Sequence, residues 1–211
     1  MKHQQPTTSL EQTLFQQGFQ YVVGVDEAGR GPLAGPVSAG AVLVSPSSET
    51  VCDVHDSKYM TSLQRDCAYE KIVQNKTICW GVSMVGNTSI DRIGINKAVY
   101  EAMTQAVKMA TSHEPNSTAQ NTFVIVDGSR TIPLDQFLHT ERYLRGGLKH
   151  YAIAAGSILA KVTRDKHMIE VSKQYPQYDF EKHKGYGTKR HKKLIDDLGL
   201  CPLHRRSFRR S

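Results

Sequence analysis

Nowhere in the 211-residue chain does an apolar run approach the roughly eighteen residues that a membrane-spanning helix needs. The start, MKHQQPTTSLEQ, also lacks the apolar block of a secretory signal. The expected setting is therefore cytoplasmic, with no membrane partner. Cys52, Cys67, Cys79 and Cys201 are widely spaced and form no C-x-x-C pair, which argues for reduced thiols and against a disulfide framework or a zinc knuckle. His183, His191 and His204 have no cysteine or second histidine at zinc-ligand spacing. The glycine-rich stretch GRGPLAG departs from the dinucleotide fingerprint, carries Pro32 where a helix would open, and is not followed by G-K-[ST]. No internal repeat, low-complexity tract or convincing linker divides the chain. A single domain over residues 1–211 is expected, with 39% hydrophobic and 22% charged residues to build one core.

Charge is present but unevenly placed. The net +7 of the whole chain resides in residues 182–211, where ten Lys and Arg face only Asp196 and Asp197, leaving the first 181 residues at −1. A basic, helical C-terminal region from about residue 175 suits a polyanion, because neutralised phosphates release counterions. It also suits a merely solvated tail.

Periodicity outlines a mixed α/β protein. Ser9 can cap a short helix, and YVVGV reads as a buried strand that delivers Asp26 at its end. SAGAVLV follows as a second strand that can pair with it as a hairpin across the glycine loop. Thr61 and Gln64 form a capping box for a helix to about Gln74, and ICWGVSMV is a third strand. A longer amphipathic helix fits 95–112, with Ala98, Ala102, Val107 and Met109 among its apolar positions. TFVIVDG repeats the first pattern, an apolar run ending in Asp127 and a glycine. Further helices are expected around 134–144, 154–174 and 188–198, the last stopped by Gly199. Alternating helices and strands after an early hairpin predict a mixed sheet flanked by helices.

Carboxylates at the ends of neighbouring strands of such a sheet face a shared crevice, and Asp26, Glu27 and Asp127 fit that position. Three converging anions raise one another's proton affinity unless a cation neutralises them. Mg2+ or Mn2+ is the economical answer, since both prefer oxygen ligands and leave sites for water and phosphate. Singly, Asp26 as a turn cap and Asp127 as an Asx-turn residue are equally good readings. Gly29 and Gly31 let the backbone approach a ligand closely while Arg30 reaches a phosphate. In HKGYGTKRH, Tyr186 stands between two glycines among basic side chains, an arrangement that can stack on a sugar or base.

Together, GVDEAGRGPLAGPV, DSK, VDG, GSILAKVTRD, YPQYDFEKHKGYGTKRH and HRRSF resemble the bacterial ribonuclease HII family, and they run in family order from about residue 20 to 208. The resemblance implies a ribonuclease H-like fold with a helical C-terminal part. It implies an endonuclease that hydrolyses the RNA strand of RNA–DNA hybrids and cuts 5′ of ribonucleotides embedded in duplex DNA, leaving 5′-phosphate and 3′-hydroxyl ends. By that likeness Asp26, Glu27 and Asp127 hold Mg2+ or Mn2+, one ion activating water and the other stabilising the leaving oxygen. The Gly29-Arg30-Gly31 loop then reads the ribose 2′-hydroxyl, and Tyr186 stacks on the deoxyribose beyond the junction. Ser57, Lys58, Lys161, Lys184 and Thr188 become candidate backbone contacts. The expected partners are RNA–DNA hybrids and ribonucleotide-containing duplexes, met by a monomer.

One position departs from the family. Ten residues before Ser157, where the family carries a fourth catalytic aspartate, this chain has Gly147. The expectation is slower turnover with stronger metal demand, and the rival is a hybrid-binding protein of the same fold with weak or lost catalysis. Asp165 is expected to support rather than replace the missing acid. A small-nucleotide phosphohydrolase is a further alternative, against which the many C-terminal cations argue.

Overall fold

A computed structural model of the protein describes residues 5–128 and 139–208. A five-stranded sheet lies at its centre, in the order β3 (Cys79–Val85), β2 (Val37–Val44), β1 (Tyr21–Ala28), β4 (Thr122–Asp127), β5 (His139–Tyr143). The first three strands pair antiparallel, while β4 runs parallel to both β1 and β5. The helices are α1 (Ser9–Gln16), α2 (Ser62–Gln74), α3 (Asn87–Ile93), α4 (Ile95–Ser112), α5 (Tyr151–Ser172), α6 (Phe180–His183) and α7 (Lys189–Leu198). None of the described helices is long and apolar enough to cross a membrane.

Each face of the sheet is covered by one long helix. On one side, α4 presents Ala98, Ala102, Ala106 and Ala110 with Val99, Met103 and Val107 to Val23, Val25, Val124 and Val126. On the other, Ala152, Ile153, Ala155, Ile158 and Leu159 of α5 cover Val22, Val42 and Ile125. Full burial of each such Val, Ile or Leu contributes about 1.5–3 kcal/mol. The α5 side is unusually close. A methyl group at Gly24 would stand 2.2 Å from the Ala152 carbonyl carbon, and one at Gly40 2.3 Å from the Gly156 oxygen. Only glycine lets the helix lie so near these strands.

Several sequence expectations need correction. β1 continues to Ala28, so Asp26 and Glu27 lie within the strand rather than after it. Residues 139–143, expected as the end of a helix, form edge strand β5; the rest of that expected helix, 134–138, lies outside the described residues. An edge strand pairs on one side only, so HTERY needs no run of apolar residues. Ser9 opens α1 without capping it, and Met109 is 43% exposed rather than buried. The Thr61–Gln64 capping box, the span 95–112 and the Gly199 stop are observed as expected. Beyond α5, the helical C-terminal part gathers Ala34, Met168, Tyr178, Phe180 and Cys201 into a separate small core.

Candidate active site

Strand alternation fixes which way each acid points. Val23 and Val25 face α4 and Val22 faces α5, so Asp26 shares the α5 face and Glu27 the α4 face. On β4, Val124 and Val126 face α4 while Ile125 faces α5, so Asp127 also points toward α5. Val25 is in register with Val126, which places Asp26 and Asp127 one rung further along adjacent parallel strands, on the same face. Neighbouring strands lie about 4.8 Å apart. The two aspartates are therefore brought together by sheet register, and Glu27 joins from the other face at the strand end.

All three acids line one cavity of about 550 Å3, with Gly29, Arg30, Gly31, Ser57, Lys58, Lys161 and Tyr186 around it. Burial pushes the Asp26 carboxyl well above its ordinary value, and the charges of Glu27 and Asp127 push further in the same direction. Burial likewise raises Glu27, against the pull of Arg30, whose Nη1 lies 3.7 Å from Oε1. Asp127 is raised by burial too, opposed by the Gly146 amide, which donates to Oδ1 at 2.7 Å. Lys58 is the internal counter-charge. Burial alone would lower its pKa, but Asp26, Asp56, Asp127 and Glu27 together raise it.

The donor set is carboxylate oxygen, which suits a hard divalent ion. Among the described residues, however, no three His, Cys, Asp or Glu side chains converge tightly enough to hold an ion as they stand. The three acids nonetheless act on one another, Glu27 and Asp127 both raising the proton affinity of Asp26.

The other candidates, and the departure at Gly147, lie in and beyond this cavity. Ser57 and Lys58 form a 3-10 turn that Asp56 caps by accepting from the Lys58 amide, and the Ser57 amide donates to Ser157 Oγ on α5. Lys161 reaches the cavity while paired at 2.9 Å with Asp165, one turn along α5. Asp165 itself lines a neighbouring basic groove rather than this cavity. Tyr186, 39% exposed, stands at the rim over Lys161 and Arg164. Lys184 lines the neighbouring groove, and its Nζ donates to the Glu181 carbonyl. Gly147 is buried in a 3-10 turn (Gly146–Leu148); a methyl group there would meet Asp56 Oδ2 at 3.2 Å.

Thr188 stands at the start of α7, where its hydroxyl accepts from the His191 amide as the cap of that helix. The O–H of a capping threonine still has its own proton to donate. His183, His191 and His204 are buried in the C-terminal core, where His191 and His204 join at 3.1 Å through their Nε2 atoms. Burial drives the His191 pKa down to about 4.

Arg65 was missed by sequence reasoning. It lines both cavities and donates to the carbonyls of Ser57 and Met60. A cation in the first turn of α2 opposes the helix dipole, and that local mismatch was the available signal.

The ribonuclease HII family profile matches residues 23–211. The chain belongs to the ribonuclease HII family. It is 46% identical over 200 residues to a ribonuclease HII of Caldicellulosiruptor saccharolyticus, covering 94% of this chain and 92% of that one. With a ribonuclease HII of Listeria monocytogenes it shares 42% over 201 residues, 95% of this chain and 72% of the relative. The crystal structure of ribonuclease H2 from Pyrococcus horikoshii shares the fold, with a TM-score of 0.71 at 23% identity over 89% of this chain and 93% of that one. Bst-RNase HIII in complex with Mn2+ does so at a TM-score of 0.66 and 17% identity, over 88% and 65%. As a member of this family the protein is a ribonuclease H, a nuclease of the hydrolase class acting on RNA–DNA hybrids. Nothing in these relatives supports the rival reading of lost catalysis.

Proposed function

We propose that the protein is a divalent-metal-dependent endonuclease that cuts 5′ of ribonucleotides, both in hybrids and embedded in duplex DNA, leaving 5′-phosphate and 3′-hydroxyl ends. The observation that carries this reading is the parallel register of β1 and β4, which sets Asp26 and Asp127 side by side at one cavity beside Glu27. These three acids would hold Mg2+ or Mn2+, the latter being the ion in complex with Bst-RNase HIII. Bound there, the metal supplies an activated water and charge stabilisation for the departing oxygen.

The remaining steps belong to this chain's own groups. Gly29, Arg30 and Gly31 bring backbone against the sugar, where a 2′-hydroxyl can exchange hydrogen bonds with them. Tyr186 offers a ring face at the rim for the next sugar, and Lys58, Lys161 and Arg65 present cations to the phosphates. Lys184 with Lys166 and Lys182 extends the positive track along the neighbouring groove. Thr188, the cap of α7, remains a candidate contact to the substrate backbone.

The test is cleavage of a DNA duplex carrying one ribonucleotide, assayed with Mg2+ and with Mn2+, for the parent chain and for Asp26→Asn. The parent should nick 5′ of the ribonucleotide and the variant should not. Cleavage of all-DNA duplex at equal rate, or an active Asp26→Asn, would overturn the assignment. Binding should weaken steeply with salt, as expected for a polymeric anion and not for a mononucleotide.

A further inference from the structure

Arg164 and Arg205 are 0% and 2% exposed, and among the described residues neither takes part in an ion pair. A buried charge without a counter-ion is costly unless its hydrogen bonds are met. Theirs are met almost entirely by one segment of backbone. Arg205 donates through Nε to the Gly35 carbonyl at 2.9 Å, through Nη1 to Arg30 at 3.0 Å and through Nη2 to Gly29 at 2.6 Å. Arg164 donates through Nε to Pro36 at 2.8 Å and through Nη2 to Ala34 at 3.2 Å, while its Nη1 is buried without a partner. Two guanidiniums thus draw in five carbonyls of the loop that follows β1. The fit is close, since a methyl group at Gly29, where φ is +88°, would lie 2.1 Å from Arg164 Nε.

Peptide geometry turns this into a statement about the cavity. Every described peptide bond is trans, so an N–H points opposite to the carbonyl of the same peptide plane. With the Gly29 and Arg30 oxygens held by Arg205, the amides of Arg30 and Gly31 are directed away from it, and Gly29, Arg30 and Gly31 all line the cavity. Arg164 also lies under the Tyr186 ring, 5.5 Å from its centroid, so this one arginine touches both the loop and the aromatic ring of the rim.

We propose that Arg164 and Arg205 are positioning residues that preset the peptide planes of the Gly29–Pro36 loop, and that the preference of the site for ribose over deoxyribose depends on their forked hydrogen bonding. This rests on the reading of Gly29 to Gly31 as the segment that meets the 2′-hydroxyl. A lysine at either place keeps the charge and loses the fork. The general attraction for nucleic acid should therefore survive while the ribose preference declines.

The experiment measures the affinity of a DNA duplex carrying one ribonucleotide and of the same duplex in all-DNA form, both in an Asp26→Asn background that stops hydrolysis. The background protein should prefer the ribonucleotide duplex. Arg205→Lys should cut that preference by about tenfold, with all-DNA affinity held within about twofold, because a hydrogen bond to a charged group contributes roughly that factor or more. Arg164→Lys should act in the same direction and more weakly, since it holds two carbonyls rather than three. Where Arg205→Lys does not fold, as judged by circular dichroism and melting, Arg164→Lys decides. Folded lysine variants that keep the full preference overturn the inference. A background protein without any preference instead removes the ribose-reading role of Gly29 to Gly31, and the positioning role with it.

Discussion

Replacing Gly147 by aspartate adds a carboxylate beside Asp56. The new Cβ would start 3.2 Å from Asp56 Oδ2 and 3.5 Å from its Cγ, a contact that a flexible carboxylate can relieve by moving a few tenths of an ångström. Charge is the larger effect. Two carboxylates about 4 Å apart repel by about 4 kcal/mol at an effective dielectric constant near 20. Asp127 is also close, held by the amide of Gly146 next door. Lys58 offsets part of this, leaving a net cost of about 1–3 kcal/mol in metal-free protein. For a chain of this size that corresponds to a fall in melting temperature of about 2–12 °C. A divalent ion reverses the sign, because the fourth acid then meets positive charge. Thermal melting of parent and Gly147→Asp, in chelator and in Mg2+ or Mn2+, should show the variant less stable without metal and more strongly stabilised by it. Mg2+-dependent cleavage should rise in parallel. A variant as stable as the parent in chelator would refute the placement of Gly147 against Asp56, and equal stabilisation by metal in both proteins would remove position 147 from the ion's surroundings.

Asp26→Asn takes out of the cavity a buried carboxyl whose charged form is disfavoured, so above the ordinary carboxylate range the metal-free protein should melt higher while hydrolysis is lost; a lower melting point would show that the charge is not disfavoured. Asp26, Glu27 and Asp127 all have folded pKa values above their unfolded ones. Their contribution to metal-free stability is therefore favourable below those folded values and is lost as pH rises from the ordinary carboxylate range through them. In the same window metal binding must displace protons, and calorimetry in buffers of different ionisation heat should show proton release that shrinks as pH rises; release independent of pH would contradict the shifts. Thr188→Ala should cost about 1 kcal/mol through the lost cap of α7, which melting assays can measure apart from binding.

Much of the fold was legible because its elements carry local signatures. The Thr61–Gln64 box, the alanine stripe of α4 and the apolar runs of β1 and β4 each announce themselves within a few residues. HTERY did not, since an edge strand owes its conformation to the neighbour it pairs with, far away in sequence. The acids were identifiable as a set, but sequence placed them at strand ends and could not show that alternation sends Glu27 to the opposite face from Asp26 and Asp127. Arg164 and Arg205 were hidden by their own chemistry. Nothing in KVTRD or HRRSF marks these arginines as buried, and only the folded loop above them reveals it.

The glycine seam between sheet and helix has a consequence for how this protein can change. Gly24 and Gly40 set the height of α5 above the strands, and from that one rigid rod hang Ser157, Lys161 and Arg164. A single added methyl in the seam would lift all three together, shifting the DSK turn, a cavity lysine and the loop support in one motion. Variation at the rim can thus be gradual, one side chain at a time, whereas the seam beneath tolerates no intermediate size.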